Sequence, residues 1–134
     1  MITKSSGFTL IELIIVLAIV AIIGAILIPN FINTSERARL RSDVQSARIL
    51  QNALDLYNVE QSVPMTETSI NRIIERLDYL GYVDEKRVTT QTDNANFAFQ
   101  NGRIVLDISG NSKAQELRSM LSEQELRYVA GGSN

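Results

Sequence analysis

Residues 7–30 read GFTLIELIIVLAIVAIIGAILIPN, and this stretch decides what kind of chain this is. From Leu13 to Ile28 no side chain is polar, and the apolar character reaches back to Phe8 with only Thr9 and Glu12 interrupting it. As a helix, residues 8–28 would measure roughly 31 Å, the thickness of a bilayer core. Past Asn30 the composition turns ordinary, with charges of both signs and Gly and Pro at turn positions. The mean hydropathy of +0.02 therefore averages two unlike parts. The pattern predicts a membrane-type helix on residues 8–28 joined to a small soluble domain within residues 29–134.

Pro29 lacks a backbone N–H and marks a kink or a stop. A second helical pattern beyond it argues for a kink. Leu40, Val44, Ala47, Leu50, Leu54 and Tyr57 recur at steps of three and four, the period of an amphipathic helix. Glu36, Arg37, Arg39, Arg41, Asp43, Arg48 and Asp55 are assigned to the other faces. One helix from Thr9 to Val59, bent at Pro29, is the expectation, and so small a domain cannot bury all of it.

Ser62-Val63-Pro64 ends that helix. Thr68 or Ser69 can cap the next, which runs through Ile70, Ile73, Ile74, Leu77 and Leu80 to Gly81. Asp84 to Arg87 reads as a turn. Arg87–Thr90, Asn96–Phe99 and Arg103–Ile108 read as strands. Asn101-Gly102 joins the last two, because both central residues of a type I′ turn need positive φ. Lys113–Val129 has helical spacing, with Ser122 able to cap a separate short helix, and Ala130–Asn134 reads as a frayed tail. The fold class is α+β: a long N-terminal helix on a small antiparallel sheet.

The 134 residues include no His and no Cys, which excludes Ser-His-Asp catalysis, Cys nucleophiles, disulfides and the usual zinc sites. A net charge of −2 gives no general attraction to nucleic acid. Asp84-Glu85 reads as a solvated turn, since neighbours in extended chain point apart. Asp93 and Asp107 are isolated acids. No catalytic residue, metal site or cofactor is expected. The Arg37–Arg48 charges read as a solvated or inter-subunit face.

Glu12 stands out, since an acid in a membrane segment is costly unless it lies near the end or has a partner. Taken alone it can sit in the first helical turn, where the helix dipole favours an anion. In combination, a short leader with Lys4 and Gly7, then Phe8, Glu12, an unbroken apolar run and Pro29 resembles the N-terminus of type IV pilins and pseudopilins. That resemblance implies cleavage between Gly7 and Phe8, with residues 1–7 as the leader, and N-methylation of Phe8. It implies pairing of Glu12 with a neighbour's amine and polymerisation outward from the cytoplasmic membrane, in a pilus, secretion or competence system. The implied partners are further copies of the chain, a prepilin peptidase/methyltransferase, a platform protein with a separate ATPase, and membrane lipid before assembly. A bitopic, membrane-anchored binding protein is the alternative.

Details of the chain bear on subtype. Ala53 to Tyr57 followed by Pro64 is similar to major secretion pseudopilins, although Val63 replaces the aromatic usual before that proline and their C-terminal acidic cluster is missing. Ile73–Val83 is loosely similar to Gram-positive competence pseudopilins. Arg37, Arg39 and Arg41 outnumber Lys4 and favour the opposite membrane orientation.

Overall fold

The computed structural model describes residues 7–62 and 64–132, with only the backbone of 29–32. Positions 1–6 of the expected leader, Val63 and the last two residues lie outside the described residues. The chain divides into two compact units, residues 1–35 and 36–134. Both draw on the same helix, α1 (Leu10–Glu60).

In the first unit α1 is apolar on every side. Its large side chains from Leu13 to Ile28 are 50–64% exposed, with no buried face among them. The bounds of α1 include position 29, so Pro29 does not end the helix.

The second unit begins with the amphipathic part of α1. It continues with α2 (Ile70–Tyr79), a 3₁₀ turn (Glu85–Arg87), β1 (Asn96–Gln100), β2 (Arg103–Asp107), α3 (Ala114–Ser119), α4 (Glu123–Leu126) and β3 (Val129–Ala130). The predicted stripe is the buried one: Leu40, Val44, Ala47, Leu50 and Leu54 are at most 4% exposed. Leu40, Val44 and Ala47 pack with Leu106, Ile108, Leu117, Leu121 and Val129. Leu50 and Leu54 pack with Ile73, Ile74, Leu77, Val88 and Ile104. Strand β2 serves both clusters, because Ile104 and Leu106, followed by Ile108 just beyond the strand, alternate onto one face.

The predicted hairpin forms. β1 and β2 pair antiparallel from Asn96↔Asp107 to Gln100↔Arg103, and Asn101 and Gly102 take φ of 51° and 78°, as a type I′ turn requires. Helix α2 starts after Ser69 and is closed by Gly81 at φ 81°. Ser69 makes no side-chain cap bond there.

Four expectations need correction. The sheet is mixed rather than antiparallel, since β3 pairs with β2 in parallel at Leu106↔Val129 and Asp107↔Ala130. A parallel neighbour needs a crossover of a dozen or more residues, and α3 and α4 supply it. Arg87–Thr90 is not a strand: Arg87 closes the 3₁₀ turn and Val88 plugs the core under α2. Over Lys113–Val129 the single helix gives way to the divided one that Ser122 offered, its side chain forming a capping box with Glu125. The tail is not frayed through Gly132. Ala130 O accepts from Ile108 N–H at 3.0 Å, and Gly131 O accepts from Arg118 at 2.9 Å.

Asp43 is the fifth departure. Placed among the solvated charges by its type, it is 0% exposed. Its two carboxylate oxygens accept the backbone N–H groups of Gln91 and Thr92 at 2.7–3.0 Å. One turn pair further on, buried Gln51 accepts the Ile104 N–H at 2.7 Å and donates to Asp55 at 2.8 Å. These two polar groups bolt α1 to the 91–92 loop and to β2, satisfying backbone donors that burial would otherwise strand.

Candidate processing and assembly site

The N-terminal residues form a small, well-defined structure. Gly7 and Phe8 precede the helix as exposed coil, Phe8 at 87% exposure. A Cβ placed on Gly7 would meet no atom within 4 Å among the described residues, so none of those residues demands glycine there. Thr9 then caps α1. Glu12 Oε2 accepts the Thr9 backbone N–H at 2.9 Å and the Thr9 hydroxyl at 3.0 Å, while Thr9 Oγ1 accepts the Glu12 N–H at 3.3 Å. This is the reciprocal capping box of a T-x-x-E sequence.

The helix dipole accounts for an acid in the first turn, and Thr9-Leu10-Ile11-Glu12 adds the T-x-x-E capping pattern to it. The box fixes the carboxylate beside the residue that follows Phe8. Of the sites expected from the sequence, the structure thus brings Glu12 into hydrogen bonds with Thr9, not with Phe8.

Elsewhere the surface is open. Asp84 and Glu85 flank a turn in which Asp84 accepts the Lys86 N–H and pairs with Arg87 at 3.3 Å, a structural use of the acid. Tyr57 and Tyr82 meet edge to face at 5.9 Å, and the Tyr82 hydroxyl donates to Glu60. That bond raises the Tyr82 pKa above its ordinary value. Among the described residues no cluster of acids, His or Cys could hold a metal ion.

The exposed, all-round apolar part of α1, headed by a capped acid and continuing into a small α+β unit, is long and apolar enough to cross a membrane. Comparison with known proteins names the N-terminus. Residues 2–28 match the family described as the prokaryotic N-terminal methylation motif. The chain is 31% identical over 74 residues to type II secretion system core protein G of Aeromonas hydrophila, covering 54% of this chain and 52% of that protein. With the protein of the same name from Vibrio cholerae the identity is 32%, over 54% and 51%. Prepilin peptidase-dependent protein A of Clostridium perfringens is 27% identical over 91% of this chain and 72% of its own. The chain spans about half the length of the secretion-system relatives. No solved structure gives a match. The resemblance to pilins and pseudopilins drawn from GFTLIE is borne out.

Proposed function

We propose that this chain is a structural, non-enzymatic subunit of a type IV pilus or pseudopilus. In this reading it is held in the cytoplasmic membrane by a single pass of α1, cut between Gly7 and Phe8 and methylated on Phe8 by a prepilin peptidase, then drawn into a filament. A platform protein with its own ATPase supplies the work. The observation that carries the reading is the apolar half of α1, about half exposed on all sides and headed by one oriented acid. A side-chain stripe would suit one flat partner; uniform exposure suits lipid on all sides, then neighbouring copies on all sides.

Cleavage at Gly7 would free an ammonium on Phe8 next to apolar surroundings. Ammonium and carboxylate are each costly there alone and far less so together. The capping box takes up Oε2 of Glu12, and Oε1 is the atom to which a neighbour's amine would come. Such a pair sets register more than strength. Pro29 would serve as a bend, since its missing N–H weakens the helix ladder four residues back.

The deciding test separates charge from capping. Glu12→Gln keeps an acceptor for Thr9, since Gln also completes a capping box, but removes the charge. We expect normal insertion and processing, shown by intact mass beginning at N-methylated Phe8, with filaments lost. Filaments at wild-type yield would reduce Glu12 to a helix cap. Gly7→Val should leave the uncut precursor in the membrane. A wild-type chain that keeps Met1 in cells holding the peptidase would favour the bitopic alternative.

A further inference from the structure

The net charge of −2 hides an uneven distribution. Arg37, Arg41 and Arg48 follow one another on α1 at steps of four and seven, which sets them within about 40° of one another around the helix. A cleft of about 550 Å³ runs beside this stripe, with Arg41, Arg48, Arg127, Gln124 and Tyr128 in its walls. Arg103 stands 5.7 Å over the Tyr128 ring. The one carboxylate in the walls, Glu125, is already engaged. Its Oε2 accepts from the Ser122 N–H and hydroxyl, and its Oε1 lies 3.5 Å from Arg41. Arg48 and Arg127 are exposed and have no ion pair among the described residues.

Every cation of this cleft is a guanidinium, the planar donor that matches phosphate oxygens in pairs. The stripe from Arg37 to Arg48 is roughly 16 Å long, which suits a surface of several phosphates better than one small anion. Such a surface is tethered to the cleft. Ile28, at the end of the apolar run, precedes Arg37 by nine residues, in a helix long and apolar enough to cross a membrane. A tether that short holds lipid headgroups near the cleft at high effective concentration. A polyanion arriving from solution meets instead the repulsion of a chain with net negative charge. Straight helix from Ile28 to Arg48 would measure roughly 30 Å, whereas headgroups reach only about 5–8 Å beyond the hydrocarbon core. Contact therefore requires α1 to yield in between, where Pro29 has already removed one hydrogen bond from the helix ladder.

We infer that this arginine cleft docks on the headgroups of anionic phospholipids, laying the globular unit against the bilayer before assembly. The inference rests on the membrane reading of α1 and goes beyond it by giving residues 36–134 a lipid ligand of their own. It also accounts for the charge count. Arg37 and Arg41, taken as loop charges, favour the opposite membrane orientation; as part of a folded cleft they form a binding surface and carry no topology signal.

The chain has no cysteine, and Gln124 is exposed in the cleft, so Gln124→Cys places a single fluorophore there. Full-length labelled chain is reconstituted in phosphatidylcholine vesicles that carry a fixed fraction of a nitroxide-headgroup lipid, with phosphatidylglycerol varied. Quenching should rise with phosphatidylglycerol and be reversed by about 0.5 M salt. Arg48→Gln and Arg127→Gln should each raise the phosphatidylglycerol fraction for half-maximal quenching about fivefold. Arg76→Gln, on α2 and outside the cleft, should leave it unmoved. Quenching that ignores phosphatidylglycerol, or an equal shift from Arg76→Gln, would overturn the cleft and leave the filament reading intact. Failure of the chain to insert into either vesicle would overturn both. A fluorescent DNA duplex that bound the chain in pure phosphatidylcholine, and was lost with Arg48→Gln, would assign the cleft to nucleic acid and overturn the lipid proposal. The salt reversal needs no arginine variant, so it decides alone if a variant fails to fold.

Discussion

The two halves of α1 have the same backbone and opposite economies of surface. Between Leu13 and Ile28 every large side chain is 50–64% exposed, whereas between Leu40 and Leu54 the apolar stripe is at most 4% exposed and Ile49 beside it is 46%. The first half buries none of its large apolar side chains. The second half is folded by its own chain along one stripe. The lesson is that identical helical geometry serves two solvents, and the surrounding side chains decide which.

That contrast can be broken most severely at Asp43. Asp43→Ala leaves the N–H groups of Gln91 and Thr92 without their acceptor and empties a fully buried position, at a cost of about 3–5 kcal/mol. Denaturant unfolding of the detergent-solubilised chain, followed through its tyrosines, should show this. Ile19→Asn in the apolar half should leave the same transition unmoved, and an equal loss from both would refute the division into two independently stabilised regions.

Leucine truncation gives the next contrast. Leu50→Ala should cost about 2–4 kcal/mol for its cavity, while Leu17→Ala, 60% exposed in the single chain, should change the unfolding midpoint by less than about 0.5 kcal/mol. Leu17→Ala should instead weaken filaments, seen as faster disassembly in detergent.

Two glycines offer a finer probe. Gly131 sits at φ 83°, and a Cβ there would lie 2.5 Å from Ser109 N, so Gly131→Ala should destabilise by about 2 kcal/mol. Gly24 has nothing within 4 Å of its Cβ position, and Gly24→Ala should be neutral or stabilising by up to about 1 kcal/mol. Comparing the two melting curves checks both.

The smallest effect compares the two capping boxes. Glu125 is held below the usual carboxylate range by the Ser122 N–H and hydroxyl, with help from Arg41 and Arg37. A depressed folded pKa contributes stability above the unfolded value of about 4.3 that is lost as pH falls through the folded value. Glu125→Gln should therefore flatten the acid limb of the stability curve, and Ser122→Ala should cost about 1 kcal/mol. An unchanged acid limb would show that the box does not persist in solution.

How legible this was follows from periodicity. The apolar run, the buried stripe, helix α2 and the Asn101-Gly102 hairpin each announce themselves within a few residues. Local signals failed where the partner is far along the chain. Asp43 looks solvated by type, and only the 91–92 loop, some fifty residues away, supplies donors that justify its burial. Val129-Ala130 is too short for a strand pattern and exists because β2 has an open edge. At the N-terminus the capping box was written in Thr9 and Glu12 and needed only the rule.

The sequence by itself determined the apolar helix, the N-terminal motif that heads it and the stripe on which the globular unit would be built. Those depend on side-chain spacing along one helix, which is a local property. Tertiary structure alone decided the mixed sheet and the buried acid. Each of these depends on which distant backbone donors and apolar faces are brought together, and on which are left over.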